Sequence, residues 1–320
     1  MLTDGFGRVH RDLRVSLTDR CPLRCTYCMP EEGLAWATDV LTPSEFARVV
    51  AVAASLGITE VRLTGGEPLL RKDIVAIAAS MPTVEVSLTT NGLGLARVAE
   101  DLRQAGVVRV NVSLDTLRPE RFRQIARRDG LPAVLAGIRA ARDAGLTPVK
   151  LNTVLMRDVN ADELLDLVRW ARTEDVELRF IEHMPLGEPG TWALDQVVTA
   201  DEIEAVLRSA YTLSPVGERG AAPAETWLLD GTGPSVGVVA SVTRPFCGDC
   251  DRLRLTADGH LRACLFAHEE DDLRPLLRGG GSDEQLADAF RRVVARKGAG
   301  HAIGRPGFVQ PARTMSAIGG

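Results

Sequence analysis

Six cysteines fall in two groups of three, Cys21, Cys25 and Cys28 at C-x3-C-x2-C spacing and Cys247, Cys250 and Cys264 at C-x2-C-x13-C spacing, and none is left over. In a reducing compartment such usage points to metal rather than to cross-links. Three thiolates converging from one loop can hold three irons of a [4Fe-4S] cube, which takes four cysteines when closed, so one iron is left open for a reacting molecule. Zinc is the rival. No fourth Cys or His lies near the first loop, but His260 and His268 each stand four residues from Cys264 and could complete a Cys3His site at the second. On spacing alone, zinc and iron-sulfur are evenly matched there.

The elements that must position these thiols are legible as a repeat. Period-2 alternation predicts strands at 13–18, 58–64, 84–90, 107–114, 148–155 and 176–182. Helical stretches separate them. The first has Thr42 as N-cap, Pro43 at its first position, Glu45 completing a capping box and Gly57 as stop; the others are expected at about 72–80, 95–105, 119–127, 132–144 and 161–174. A βα unit repeated six times implies a parallel sheet with helices outside and a functional rim in the loops after the strands, two units short of a closed barrel.

Parity within the strands divides them into two faces. Val108, Val110, Val112 and Leu114 alternate with Arg109, Asn111, Ser113 and Asp115, and the pattern recurs in the other strands. If the apolar rows pack on the helices, the polar rows line a hollow lumen, where ordinary barrels carry bulky aliphatics. Arg14, Arg62, Lys150 and Arg179 then lie on lumen rows of four strands. Internal ion pairs with Glu85, Glu177 and Asp115 are one explanation. A phosphorylated ligand is the better one, because cations gathered inside a chain of net charge -5 need a matching polyanion, and guanidinium forks suit phosphate oxygens. After the second strand comes Thr64-Gly65-Gly66-Glu67-Pro68, whose paired glycines let the backbone approach a ligand closely while Glu67 offers an acceptor to a cationic amine. Neither G-x-G-x-x-G nor a phosphate-binding G-x-x-x-x-G-K-[ST] loop occurs at a strand–helix turn.

From about 185 to 235 the chain is richer in Gly and Pro, interrupted by one helix near 200–210. Beyond it, 225–230 and 236–242 read as short antiparallel strands, helices are expected near 271–277 and 283–296, and a loose tail ends in Gly319-Gly320. We therefore expect two domains, an α/β partial barrel over 1–225, including the connecting segment, and a smaller α+β region over 226–320 that carries the second cysteine triad. The acidic balance argues against a general nucleic-acid partner. With no apolar run near membrane-spanning length and no signal-peptide pattern at the start, a cytoplasmic location is expected. His183 and His301 acquire no role from the sequence.

The first cysteine loop, with Tyr27 just before its last cysteine, resembles the signature of the radical S-adenosylmethionine (SAM) enzymes, and Gly65-Gly66-Glu67-Pro68 resembles the motif with which they hold the SAM amino group. Together with Leu88-Thr89-Thr90-Asn91-Gly92, Asn111-Val112-Ser113-Leu114-Asp115, Arg179-Phe180-Ile181-Glu182, Cys250-Asp-Arg252-Leu-Arg254, Cys264 and the terminal diglycine, the chain resembles the radical SAM nucleotide cyclases of molybdenum cofactor biosynthesis from Arg14 to its end. The resemblance implies an incomplete (βα)6 barrel, two [4Fe-4S] clusters and SAM. It implies that Tyr27, Gly66, Glu67, Ser113 and Met184 hold SAM, and that Arg14, Arg62, Thr89, Lys150, Arg179, Arg252 and Arg254 contact GTP. Arg252, Arg254, Gly319 and Gly320 would serve the chemistry, the tail glycines by threading a narrow cavity without clashes. The implied reaction begins with reductive cleavage of SAM; the resulting 5′-deoxyadenosyl radical takes the ribose 3′ hydrogen of GTP, and C3′ adds to guanine C8. An external electron donor, a downstream cyclic pyranopterin synthase and a homodimer belong to the same expectation. The competing readings are a radical SAM peptide or sulfatase maturase and a non-catalytic zinc or iron-sulfur scaffold.

Overall fold

The computed structural model describes residues 1–81 and 83–319. Helix α1 (Pro43–Ser55) starts as its sequence dictates: Thr42 accepts from the Glu45 backbone while the Glu45 carboxylate accepts from the Thr42 backbone, and Pro43 occupies the first turn, where no donor is needed. The chain leaves the helix through Gly57 at φ +103°, a conformation open to glycine. The same device starts α8 (Ala200–Ala210) at Thr199 and α10 (Asp283–Ala295) at Ser282. The remaining helices are α2 (Ile74–Ala79), α3 (Ala99–Gln104), α4 (Pro119–Ala126), α5 (Leu131–Asp143), α6 (Arg157–Asn160), α7 (Leu164–Thr173), α9 (Arg274–Arg278) and α11 (Met315–Ile318). Short 3-10 turns at Leu95–Arg97 and Ala161–Glu163 break the continuous helices expected at 95–105 and 161–174.

All six expected strands form, within two residues at either end: β1 (Asp12–Ser16), β2 (Glu60–Thr64), β3 (Glu85–Thr90), β4 (Val107–Ser113), β5 (Val149–Leu155) and β6 (Glu177–Glu182), parallel and in sequence order. The rest are β7 (Leu213–Pro215), β8 (Glu225–Leu229), β9 (Thr232–Val239), β10 (Arg252–Leu255), β11 (His260–Arg262) and β12 (Asp271–Asp272). They continue the same sheet on both sides: β10 pairs parallel to β1, and β9 pairs parallel to β6. The result is one open twelve-strand sheet running β12-β11-β10-β1-β2-β3-β4-β5-β6-β9-β8-β7. The second region therefore reaches the barrel's open edges by backbone pairing.

The apolar rows pack under the helices. Leu13, Val15, Val61, Leu63, Leu88, Val110, Val112, Leu151, Leu178 and Phe180 are buried in one continuous core. One parity assignment is corrected. Val107, not Val108, enters that core, because a register shift against β3 makes Val86 pair with Val107 and Ser87 with Arg109, leaving Val108 as the extra residue. The tail is also tighter than expected, since Ser316 and Ile318 in α11 are buried.

Candidate active site

Strand register builds the first feature of the site. Arg254 of β10 pairs with Arg14 of β1, which pairs with Arg62 of β2, so three arginines stand side by side on adjacent parallel strands, about 4.8 Å apart along the hydrogen-bonding direction. They line the same cavity as Arg179 and Arg252. Among the described residues, Arg14, Arg62, Arg179 and Arg254 have no carboxylate within ion-pair distance; Arg252 has only Asp251, at 3.8 Å. Burial holds the Arg14 guanidinium well below its ordinary value, with Arg254 and Arg62 adding to the effect, and burial likewise pushes Arg179 down to about 10. Nε of Arg14, Arg179 and Arg252 is buried without a hydrogen-bond partner. Burying a guanidinium without a matching anion costs free energy, and a bound polyanion offsets that cost.

The first cysteine loop follows β1 and is clamped by the turn after β2. A Cβ on Gly65 would lie 2.2 Å from the Thr18 carbonyl oxygen, and one on Gly66 2.4 Å from the carbonyl oxygens of Asp19 and Arg20. The Gly66 and Glu67 amides donate to Thr18 and Arg20 at 2.7 Å. The close approach that these glycines permit is thus first to the cysteine loop itself, although Gly65 and Gly66 also line the cavity. Glu67 is the clearest correction. Its buried carboxylate accepts from the Leu69 amide (2.9 Å), the Thr90 hydroxyl (2.7 Å) and the Asn91 amide (2.7 Å) and is absent from the cavity lining, so it pins two strand-end loops together instead of facing an amine. Burial pushes it up to about 7 against those three bonds. Asn91, so held, points Nδ2 at Cys21 Sγ at 3.7 Å.

Both cysteine triads line this one cavity, from opposite sequence ends of the chain. All six thiols are free. Burial pushes Cys21 up to about 11 and Cys28 up to about 12, and Cys25 is also raised, so only a strongly bound cationic centre would hold the three as thiolates. At the second triad burial raises Cys247, whereas for Cys250 the cations of Arg252 and Lys297 outweigh burial and lower it. Sulfur acceptors are supplied with donors: besides Asn91 to Cys21, the Phe266 amide lies 3.4 Å from Cys264 Sγ. A [4Fe-4S] cube binds each thiolate to a different iron, and three cysteines at each place, with N–H donors aimed at the sulfurs of Cys21 and Cys264, fit such a cluster.

Tyr27, Gly66, Ser113 and Met184 line the cavity, as do Thr89, Arg14, Arg62, Arg179, Arg252 and Arg254. Lys150 does not: it is turned to Glu177, with Nζ 2.8 Å from Oε2, so the ion-pair alternative holds for this residue. Arg109, which continues the arginine row beyond Ser87, is likewise matched, pairing with Glu60 and Glu85, and is not on the cavity lining. Asp115 pairs with neither; it accepts from the Tyr27 hydroxyl at 2.8 Å and the Val154 amide at 2.9 Å, and burial raises it to about 6. Gly319 lies at φ +86° between β1 and β2, where a Cβ would sit 2.0 Å from Ser16 Oγ, and its carbonyl oxygen accepts from Arg254 Nη1. Gly320 lies outside the described residues. Sequence reasoning gave no site role to Asn91, Asn152, Phe266 or His301, all on the lining. Asn91 stood inside a quoted motif and Asn152 on the polar row of its strand that parity turns to the lumen, whereas Phe266 and His301 carried no signal.

An open (βα)6 sheet that carries a three-cysteine loop after its first strand defines a radical SAM protein, and residues 15–171 match the Radical SAM superfamily. Residues 176–303 match the family Molybdenum Cofactor Synthesis C. The chain is 57% identical to the GTP 3′,8-cyclase of Streptomyces coelicolor, covering 100% of this chain and 96% of that protein. It is 52% identical to the GTP 3′,8-cyclase of Mycolicibacterium smegmatis, covering 100% and 92% respectively. Among solved structures, Streptococcus suis SuiB bound to S-adenosylmethionine shares the fold, with a TM-score of 0.61 at 13% identity over 88% of this chain and 68% of that one. The chain belongs to the GTP 3′,8-cyclase family.

Proposed function

We propose that the enzyme converts GTP to (8S)-3′,8-cyclo-7,8-dihydroguanosine 5′-triphosphate, the first step of molybdenum cofactor biosynthesis, a reading supported by relatives named GTP 3′,8-cyclase and by the Molybdenum Cofactor Synthesis C match. The observation that carries the reading is the single cavity on which both cysteine triads and the unpaired arginine row converge. Cys21, Cys25 and Cys28 would hold one [4Fe-4S] cluster, and Cys247, Cys250 and Cys264 the other. When bound, the first cluster with SAM supplies the primary carbon radical and the second an open iron for the guanine.

The chain's own residues do the rest. Arg14, Arg62 and Arg179 neutralise the triphosphate, each contributing about 1.5–3 kcal/mol where a charged hydrogen bond replaces an unmatched buried cation. Thr89 adds a hydroxyl on the same wall. Tyr27, Gly66, Ser113 and Met184 form the SAM side, with Tyr27 fixed by Asp115. Arg252 and Arg254 add cations from β10, and the Arg254–Gly319 hydrogen bond seats the tail against Ser16 and Thr64 at the ends of β1 and β2. Holding the ribose and base against the SAM side replaces a bimolecular encounter with a fixed approach and excludes water. Lys150 acts at one remove, through Glu177.

An external electron donor supplies the reducing equivalents, and the product passes to a cyclic pyranopterin synthase. A homodimer in the cytoplasm is the working assembly. Among the described residues no helix is long and apolar enough to cross a membrane. The test is anaerobic reconstitution with iron and sulfide, then measurement of 5′-deoxyadenosine and cyclised product across nucleotides. GTP-dependent formation of both is expected; SAM cleavage that ignores GTP, or a peptide-dependent reaction, would refute the reading.

A further inference from the structure

Behind the second triad lies a buried cation that no motif announces. Lys297, just past the end of α10, is 5% exposed. Its Nζ donates to the carbonyl oxygens of Arg252 (2.7 Å) and Cys250 (3.1 Å) and lies 3.7 Å from Cys250 Sγ. On the far side it meets His10 Nδ1 at 3.5 Å, and His10 Nε2 is 3.2 Å from Asp4 Oδ2. An ammonium offers only protons, so His10 Nδ1 is the acceptor, its hydrogen sits on Nε2, and that hydrogen points to Asp4. Asp4, Arg8 and His10 are all buried, and Arg8 ties the group down by donating to Asp4 (2.6 Å) and to the carbonyl oxygens of Cys247 and Gly298 (2.7 Å each). The first ten residues, folded back by a bridge between Thr3 and Val9, thus brace the outer side of the second triad.

Among the described residues no carboxylate lies within ion-pair distance of Lys297, so no neighbouring anion cancels its field before it reaches the Cys250 sulfur. We propose that Lys297 is a positioning residue for the second iron–sulfur centre: it fixes the Cys250 side chain and raises the centre's reduction potential above that of the same three thiolates without it. The proposal rests on the cluster assignment given above. Its physics is general. An added electron makes the centre more negative, and a fixed positive charge with an N–H···S bond at a ligand sulfur stabilises that reduced state more than the oxidised one. Asp4 and His10 act at one remove, holding the ammonium on its sulfur side.

The test compares the wild-type protein with Lys297→Met and Lys297→Arg, reconstituted anaerobically without SAM or nucleotide. Each centre is read separately by redox titration followed with electron paramagnetic resonance, in chains whose other triad is replaced by alanine. Lys297→Met should lower the potential of the second centre by at least a tenfold change in its one-electron equilibrium, about 59 mV, and leave the first centre where it was. Lys297→Arg, which keeps the charge, should stay near wild type. Loss of the second centre's iron from Lys297→Met with retention in Lys297→Arg supports the same role. A fully loaded Lys297→Met whose second centre titrates as in wild type overturns the proposal, as does equal loss of that centre from both variants. Wild-type protein that assembles only one centre overturns the cluster assignment itself.

Discussion

Substituting Gly319 by alanine probes how the tail is seated. The added Cβ would stand 2.0 Å from Ser16 Oγ and 2.9 Å from Thr64 Cγ2, at a φ of +86° that disfavours any side chain. Overpacking of this kind costs about 1–3 kcal/mol, and a tail that backs away also forfeits the Arg254 bond to the Gly319 carbonyl. Taking about 3 kcal/mol, the ratio of seated to unseated tail falls by roughly 150-fold. Cyclised product should fall by a comparable factor while iron content at both triads is unchanged; deleting Gly319 and Gly320 should do the same. Ser16→Ala in the Gly319→Ala chain removes the closest obstructing atom, at the loss of its hydrogen bond to the Ile318 carbonyl (3.0 Å), and should recover at least part of the product rate. Product formation by Gly319→Ala at the wild-type rate, or a Ser16→Ala change that only deepens the loss, would refute the reasoning.

Three further outcomes are expected. Arg179→Gln should weaken GTP binding by about 10- to 150-fold, the equivalent of a charged hydrogen bond, in calorimetry on the reconstituted enzyme, and leave guanosine binding nearly untouched; equal losses for both ligands would remove Arg179 from the phosphate site. Tyr27→Phe deprives the buried Asp115 carboxylate of its hydroxyl donor, leaving the Val154 amide, and should cost about 1–3 kcal/mol in urea unfolding. The Glu67 carboxyl, raised from 4.5 to about 7, keeps its proton in the folded chain over a range where the unfolded chain has lost it. Its contribution to stability therefore declines as pH rises from about 4.5 to 7 and is level above that. Glu67→Gln should remove this share of the slope in the cluster-free protein, and an unaltered slope would contradict the assignment.

The strands and the first helix were readable from sequence because their signals are local: alternation in β1 through β6, and a cap, a proline and a stop around α1. The two cysteine loops and most of the arginine row were readable for the same reason. Pairing between distant segments was not. Nothing in Arg252-Leu-Arg254 announces that it will lie beside Asp12–Arg14, and that register is what sets Arg254 next to Arg14. Glu67 and Lys150 were misplaced because parity and motif place a residue near a site without saying which neighbour it will satisfy first; for these two the neighbours were the Thr90–Asn91 turn and Glu177. Lys297 carried no signal at all, since its partners His10 and Cys250 are 287 and 47 positions away.

The placement of β9 and β10 also bears on synthesis. Until residues 232–255 have left the ribosome, β1 and β6 each present a bare row of backbone donors and acceptors, a template for pairing with another nascent chain. Polypeptides terminated anywhere between the end of β6 and the start of β9 should consequently coagulate rather than persist as free fragments, because β9 and β10, which cap those two borders, are made after all six strands of the barrel.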